Sequence, residues 1–419
     1  MDKNKKQDRN EHGLIRMGKV ARDTLGFKEQ VEIYPDTTST SRRMRGSTLL
    51  DIFQAFSDDI KTAKERYTEE ELTRVGFVTS KTFRKITGST KKEDKNIWIT
   101  NDAEDIVIGT DPEFLLFNAE GEVVRANEVM SYTGQIGCDG AMAEVRPHPA
   151  ISPEDLTRNI ELLFKNDKLT KSIKPYRWEA GCYHIDNRRD YPIGGHLHFG
   201  NPVQVARINT DRRYEFFNVI NKVVDELLAV PMVKVDGSEL GKARRTNCRM
   251  ANHGGYGYFG EWRPCNGHME HRTLSGMWLM HPTLTTLVFG VAKAIVDEIY
   301  VHVADNKFNM DYMFPAKLRR AELWKPSFKD WKEIPLAKDM DCVQDSARMI
   351  DLLHSSDPRK ITAKFLKSWY DKMRHLSTYG KYSKYIDGLY EVLKNSTKTF
   401  IDYDRSLQKT WLEKTKFID

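Results

Sequence analysis

Four short segments of this 419-residue chain each carry two reactive side chains separated by a single residue. They lie between residues 109 and 272 and read Asp111-Pro-Glu113, Glu144-Val-Arg146, His196-Leu-His198 and Glu270-His-Arg272. Successive side chains of a β-strand alternate between its faces, so residues i and i+2 share a face. The spacing predicts strands that bring carboxylates, imidazoles and guanidiniums to one sheet surface, a composition typical of sites for divalent metal and phosphate.

Apolar patterns between these segments predict the rest of the fold. The runs at residues 114–117 and 123–124 are separated by a turn that ends in glycine, which predicts a hairpin. Ser152, followed by a proline and two acidic residues, marks the start of a helix. Another helix is predicted from about residue 211 to 229, ending before Pro231. This order favours an α+β fold, an antiparallel sheet that carries the site and has helices packed on one side.

Composition predicts three regions along the chain. Residues 1–100 are a polar and basic extension with helical spacing from about 48 to 73. Residues 101–304 hold all four motifs and are predicted to be the catalytic core. Residues 305–419 are predicted to be mainly helical, with four aromatic core anchors: Trp324, Trp331, Trp369 and Tyr370.

The net charge of +6 is unevenly distributed. Lysine plus arginine exceed aspartate plus glutamate by 21 to 16 in residues 1–100 and by 23 to 17 in residues 305–419, whereas residues 101–304 hold 22 against 27. Basic flanks attract polyanions, so nucleic acid is an expected partner. Ordinary solvated helix surface explains the same charges and stays open as an alternative.

Membrane and secretory functions are not indicated. The longest apolar stretch, residues 283–303, is interrupted by Lys293, Asp297 and Glu298, which is typical of a buried amphipathic helix and not of a membrane span. No apolar segment follows the charged N-terminus, and the five cysteines contain no C-x-x-C pair. We therefore expect a protein of the reducing cytoplasm with neither disulfides nor a membrane partner.

Taken together, the motifs resemble a known family. The segments 109–114, 139–147, 194–200, 256–263 and 270–275 are similar to the ATP-dependent carboxylate–amine ligases (amidoligases), and most of all to their branch in tailed phages. The resemblance extends from residue 109 to about 282. It implies the catalytic fold of glutamine synthetase, ATP as the cofactor and, for a phage-encoded chain, the host cytoplasm as its location.

The same resemblance implies a role for each motif residue. It makes five side chains ligands of two or three divalent ions: Asp111, Glu113, Glu144, His196 and Glu270. Such ligands suit Mg²⁺ or Mn²⁺. The nucleotide would contact His198, Arg146 and Arg272. Catalysis would depend on Glu270 and on two guanidiniums at the transferring phosphate, those of Arg272 and Arg263.

The implied reaction joins a carboxylate to an amine, neither of which the sequence identifies. The carboxylate takes the γ-phosphoryl group of ATP, and the amine then displaces phosphate from the acyl phosphate. Two other functions stay open. A zinc-dependent amide hydrolase would use His196 and His198 with a nearby carboxylate. A nucleic-acid-binding or virion protein would carry an inactive ligase-like core. The excess of carboxylates and the arginine beside Glu270 favour the ligase.

Several other reactive residues are predicted to have structural roles or to be exposed, and not to take part in catalysis. Cys138 is predicted to be a packing residue, and four histidines outside the H-x-H motif to be structural or exposed: His148, His253, His268 and His281. The segment Tyr256–Gly260 fits a nucleotide or substrate loop and an aromatic turn equally well.

Overall fold

The computed structural model describes residues 15–16, 32–33, 96–100, 106–186, 189–208, 210–247, 256–305, 346–395, 405–413 and 415–417. The chain divides into two compact units, residues 1–95 and 96–419. In the first unit the described residues are two short strands, β1 (Ile15–Arg16) and β2 (Glu32–Ile33), which pair antiparallel. The predicted helix at 48–73 and the predicted anchors Trp324 and Trp331 lie outside the described residues.

The second unit is α+β, as predicted. Its described strands are β3 (Ile99–Thr100), β4 (Ile108–Thr110), β5 (Glu113–Phe117), β6 (Val123–Val124), β7 (Ile136–Asp139), β8 (Met142–Val145), β9 (Arg177–Glu179), β10 (Tyr183–Asp186), β11 (Arg189–Pro192), β12 (Leu197–Pro202), β13 (Trp262–Cys265) and β14 (His268–His271). Its described α-helices are α1 (Ala126–Val129), α2 (Pro153–Phe164), α3 (Asp167–Thr170), α4 (Val203–Ala206), α5 (Thr210–Val224), α6 (Val230–Asp236), α7 (Glu239–Asn247), α8 (Pro282–Asp305), α9 (Ser346–Ser355), α10 (Ala363–Arg374) and α11 (Tyr379–Asn395).

The strands form two five-stranded sheets where one sheet was predicted. In the first sheet, β12 is central and pairs with β14 and β4 antiparallel and with β3 parallel, while β13 lies outside β14. The second sheet has the order β6-β5-β8-β7, with β9 also paired to β5. Strands β10 and β11 form a separate hairpin. The motif segments are therefore shared between two sheets.

The predicted hairpin at residues 114–124 is confirmed. Strands β5 and β6 pair antiparallel with Leu116 opposite Val124. The turn between them contains Gly121 at a φ of +83°, a left-handed conformation that glycine adopts without steric cost. Helix α2 is confirmed as well, because the Ser152 side chain accepts a hydrogen bond from the Asp155 amide and Pro153 occupies the first turn.

The predicted helix end before Pro231 is wrong. After α5 the chain forms one π-helical turn, Asp225–Ala229, and then continues directly into α6. The amide of Val230 donates to the carbonyl of Asp225, five residues back. Proline lacks an N–H and its ring crowds the preceding turn of an α-helix, whereas a wider turn accommodates it.

Two helices cover the back of the first sheet. The Tyr300 hydroxyl of α8 donates to the Asn201 side chain on β12 at 2.6 Å, and Phe217 of α5 packs edge-on against Trp262 of β13, with ring centroids 5.7 Å apart. Helix α8 is buried along most of its length, as predicted. Among the described residues no helix is both long and apolar enough to cross a membrane.

The described C-terminal residues are mainly helical and pack on this core. Trp369 is buried and its indole N–H donates to the Leu227 carbonyl at 2.7 Å, so its prediction as an anchor is confirmed. Tyr370 is half-buried and stacks on Tyr390. The three cysteines that the structure describes are free: Cys138, Cys182 and Cys265.

Candidate active site

The candidate active site lies where the two sheets meet. Only Asp111 and Pro112 separate β4 of the first sheet from β5 of the second. The Glu113 amide donates to the Gly194 carbonyl at 2.9 Å, and the Gly194 amide donates to the Glu113 carboxylate at 2.5 Å. Their spacing predicted that Asp111 and Glu113 share a strand face. In the structure Asp111 lies in the link between the sheets, and Glu113 is the first residue of β5.

The register of the first sheet brings three predicted residues to one face. His198 on β12 is the cross-strand partner of Glu270 on β14, and Glu270 is the partner of Arg263 on β13. Cross-strand partners point to the same side of a sheet. The partner of His198 on β4 is Gly109, where a Cβ would collide with the indole of Trp98. The glycine thus lets Trp98 lie beside the histidine.

Three buried polar atoms converge between the sheets: Asp111 Oδ1, His196 Nδ1 and Glu270 Oε1. The His196 nitrogen lies 3.2 Å from the Asp111 oxygen and 3.3 Å from the Glu270 oxygen. None of the three atoms makes a hydrogen bond of acceptable geometry. Burial raises the pKa of Asp111, but the charges of His198 and His196 outweigh this and hold it well below its usual range. Two carboxylate oxygens and one imidazole nitrogen at this spacing fit a divalent cation.

Two guanidiniums flank Glu270. Arg263 forms an ion pair with one carboxylate oxygen, and its side chain is 51% exposed. The Arg272 Nε lies 3.4 Å from the other oxygen, and that side chain is 23% exposed. Burial lowers the pKa of Arg272, but Tyr256, Glu261 and Glu270 outweigh this effect and raise it. A fixed positive charge therefore lies beside the three-atom cluster.

Tyr256 connects the cluster to the arginines. Its hydroxyl lies 2.5 Å from His196 Nε2 and accepts a hydrogen bond from Arg272 at 3.1 Å. Its ring lies between the guanidiniums of Arg244 and Arg272, whose carbon atoms are 4.8 and 5.1 Å from the ring centroid. Because the Tyr256 hydroxyl contacts Nε2 of His196, the other ring nitrogen, Nδ1, faces the carboxylates of Asp111 and Glu270. Of the two interpretations of the 256–260 segment, a loop at the site is the one that this geometry favours.

The remaining predicted acids form a separate pair on the second sheet. Glu113 on β5 and Glu144 on β8 are cross-strand partners, and both are buried. Burial raises the pKa of Glu113 to about 7 despite the opposing charge of His196. Glu144 forms an ion pair with Arg146, whose guanidinium also donates to the carbonyls of Gly134 and Cys138. The five predicted ligands thus divide into a cluster of three and a pair.

His198 and His268 lie at the edge of the cluster. The Nε2 of His198 is 2.9 Å from Asp111 Oδ1, and its Nδ1 is 2.9 Å from His268 Nε2. Burial lowers the pKa of His198, but the Asp111 carboxylate outweighs this and raises it to about 10. His268 also stacks on Trp98, with ring centroids 4.0 Å apart. Sequence reasoning missed His268, although its i−2 spacing from Glu270 on β14 was a usable signal.

A family model described as "Phage phiEco32-like COOH.NH2 ligase-type 2" matches residues 108–321, just over half of the chain. The chain belongs to this family. The match begins at β4 and includes all the site residues described above except Trp98. It confirms the resemblance found in the motifs and identifies the protein as a member of a carboxylate–amine ligase family. No curated protein matches this chain in a sequence search.

Two solved structures show a remote likeness to this chain. A bifunctional glutathione synthetase from Pasteurella multocida aligns with a TM-score of 0.33 and 10% identity, over 70% of this chain and 56% of that one. A structure described as a novel glutamine synthase homolog aligns with a TM-score of 0.32 and 12% identity, over 68% of this chain and 70% of that one. The chain thus spans just over half the length of the glutathione synthetase.

Proposed function

We propose that the chain is an ATP-dependent ligase that activates a carboxylate as an acyl phosphate and then joins it to an amine. One observation carries the proposal: atoms of Asp111, His196 and Glu270 that make no hydrogen bond converge beside the guanidinium of Arg272. Phosphoryl transfer depends on positioning and on positive charge around the transferring group. Membership of a carboxylate–amine ligase family supports the second half of the reaction.

The donor atoms fit Mg²⁺ or Mn²⁺. Asp111 and Glu270 offer carboxylate oxygens and His196 a single imidazole nitrogen, so these residues would hold one ion. The buried cross-strand pair Glu113 and Glu144 would hold a second. When bound, such ions neutralise charge on the phosphoryl oxygens of ATP.

The arginines take different roles in this proposal. Arg272 is held by Tyr256 and Glu270 and keeps its charge, so it is suited to stabilise the phosphoryl group during transfer. Arg263 is half exposed on the other side of Glu270, where it can bind an outer phosphate. Arg146 is already engaged by Glu144 and two carbonyls, so we assign it the positioning of Glu144 and not the nucleotide contact predicted from sequence.

The geometry does not favour a zinc hydrolase. That mechanism needs His196 and His198 on one ion with a carboxylate. In the described residues, His196 groups with Asp111 and Glu270, whereas His198 groups with Cys265 and His268.

The proposal is tested by ADP release against a panel of amino acids, polyamines and modified nucleotides, with Mg²⁺ or Mn²⁺. Without an amine, acyl phosphate formation gives at most one equivalent of ADP, so we expect sustained ADP release only when a carboxylate, an amine and the ion are all present. Arg272→Ala should lower kcat by roughly a hundred- to a thousandfold. Arg158→Ala, an exposed arginine on α2, is the matched control and should retain activity. Stoichiometric zinc with amide cleavage in the absence of ATP would refute the ligase proposal.

A further inference from the structure

A second group of ligand atoms lies beside the three-atom cluster, on the same face of the first sheet. Cys265 on β13 is the cross-strand partner of His268 on β14, and His268 is the partner of Gly200 on β12. His198 lies two residues before Gly200 and so shares its face. The ligand atoms of Cys265, His268 and His198 all lie within 4.8 Å of one another.

Both histidines have their outward ring nitrogen opposite an acceptor. The Nε2 of His198 lies 2.9 Å from the Asp111 carboxylate, and the Nδ1 of His268 lies 3.1 Å from the Asn266 carbonyl. Metal-bound histidines nearly always have a carboxylate or carbonyl beside their second ring nitrogen. The other two nitrogens face each other at 2.9 Å.

The two inward nitrogens are close enough to bind one ion between them. Two nitrogens bound to tetrahedral zinc, at about 2.0–2.1 Å each, are about 3.3 Å apart, so a small shift suffices. The thiol of Cys265 supplies a third, soft ligand.

We propose that Cys265, His268 and His198 form a binding site for a soft divalent ion of the Zn²⁺ class, next to the hard-ion cluster of Asp111, His196 and Glu270. The two sites are in contact, because the Cys265 thiol lies 3.6 Å from Glu270 and His198 lies 2.9 Å from Asp111. Three protein ligands leave a fourth position for solvent or another molecule. Trp98 stacks on His268 and covers one side of the site. This proposal does not depend on the proposed ATP-dependent reaction, so an experiment can refute the soft-ion site without refuting the ligase function, and the reverse.

Cobalt is the probe, because a thiolate bound to Co²⁺ gives a charge-transfer band in the near ultraviolet. Metal-free, reduced protein is titrated with Co²⁺ in the absence of nucleotide. We expect the band to saturate at equimolar cobalt, to disappear on addition of Zn²⁺ and to persist with Mg²⁺. Cys265→Ser should abolish it. His268→Gln should retain the thiolate but weaken Co²⁺ binding by at least about tenfold.

Two control variants distinguish this site from binding at another cysteine and from the proposed phosphoryl-transfer site. Cys138→Ser removes another buried cysteine and should leave the band intact. Glu113→Gln disables the proposed phosphoryl transfer and should also leave it intact. Circular dichroism establishes that each variant is folded. A wild-type protein without the band, or a band that persists in Cys265→Ser, would overturn the proposal.

Discussion

His196 shows how neighbours fix a single side chain. Its carbonyl accepts a hydrogen bond from the Thr110 hydroxyl at 2.5 Å, and its Nε2 lies 2.5 Å from the Tyr256 hydroxyl. A Cβ at Gly194 would collide with the imidazole, so the glycine makes room for the ring. Three separate segments therefore determine which nitrogen faces the carboxylates of Asp111 and Glu270.

Tyr256→Phe tests the positioning of His196. The substitution removes the hydroxyl but keeps the ring between Arg244 and Arg272. Because loss of a hydrogen bond to a metal-binding histidine usually costs ten- to a hundredfold, we expect a loss of about that size in Mn²⁺ affinity and kcat. Electron paramagnetic resonance reports bound Mn²⁺, and Tyr191→Phe is the matched buried control. Unchanged Mn²⁺ affinity would show that Tyr256 does not position the histidine.

Glu270→Gln tests the carboxylate that contacts both the cluster histidine and the two flanking arginines. The side chain is completely buried and contacts His196, Arg263 and Arg272. Removal of its charge should abolish Mn²⁺ binding at the cluster of Asp111, His196 and Glu270 and lower ADP formation by at least about a hundredfold. Glu120→Gln, in an exposed turn, should behave like wild type. Normal turnover in Glu270→Gln would remove this residue from the proposed mechanism.

At the scale of strands, the i, i+2 spacing predicted three pairs well. Both imidazoles of the H-x-H motif face Asp111, Arg146 pairs with Glu144, and Arg272 lies beside Glu270. The fourth pair failed at Pro112, which has no N–H to continue the β4 ladder and whose carbonyl already accepts from Val145 of the second sheet. Spacing indicates which way side chains point, but not where one sheet ends.

Helices α8 and α11 are joined through one buried carboxylate. Glu298 accepts hydrogen bonds from the Ser377 amide at 3.1 Å, the Ser377 hydroxyl at 2.7 Å and the Thr378 amide at 3.0 Å. These residues directly precede α11, so Glu298 caps its N-terminus from another helix. Burial raises the pKa of Glu298, but the hydrogen bonds from His302, Ser377 and Thr378 outweigh this and lower it to about 2.

Glu298→Gln tests the contribution of this charge to stability. A carboxyl whose folded pKa is depressed stabilises the fold above its ordinary value of 4.5, and the stabilisation disappears as the pH falls towards 2. The shift corresponds to about 3 kcal/mol at neutral pH. Urea unfolding should therefore show a difference between wild type and variant that is largest at pH 7 and smaller at pH 3.

Glu391→Gln, on the exposed side of α11, is the matched control for this experiment and should unfold like wild type at both pH values. A stability difference in Glu298→Gln that stayed constant with pH would mean that lost packing, and not lost charge, is its cause.

At the scale of the whole molecule, long-range packing is what the sequence did not predict. The indole of Trp369 donates to the Leu227 carbonyl, 142 residues away, and that of Trp411 donates to the Leu279 carbonyl at 2.8 Å. Trp411 also meets the ring of Phe164 on α2 edge to face. Apolar composition indicated that such residues are buried, but partner choice depends on three-dimensional complementarity that local patterns do not contain. The proximity of Cys265 to His198 depends on the pairing of β13 with β14 and of β14 with β12, which local sequence patterns do not predict either.

Charge distribution leads to a prediction for the entire chain. Because the basic residues are in excess at 1–100 and 305–419, we expect these flanks to bind nucleic acid at low salt and to bring an attached carboxylate or amine to the acidic core. The logarithm of affinity should then fall linearly with the logarithm of salt concentration, with a slope of about −0.9 for each neutralised phosphate of duplex DNA. Fluorescence anisotropy with labelled DNA and RNA measures both the affinity at low salt and its salt dependence.

Charge neutralisation in one flank makes the test specific. Replacement of the basic run Arg42, Arg43 and Arg45 by glutamine should reduce the salt slope by roughly 2 to 3, since each arginine that meets a phosphate contributes about 0.9. The matched control neutralises three exposed basic residues of the core: Arg158, Lys165 and Lys168. Because the core holds more acidic than basic residues, the control should leave the slope unchanged. Equal effects of the two triple variants would mean that binding follows net charge alone, and negligible affinity at low salt would remove nucleic acid as a partner of the protein.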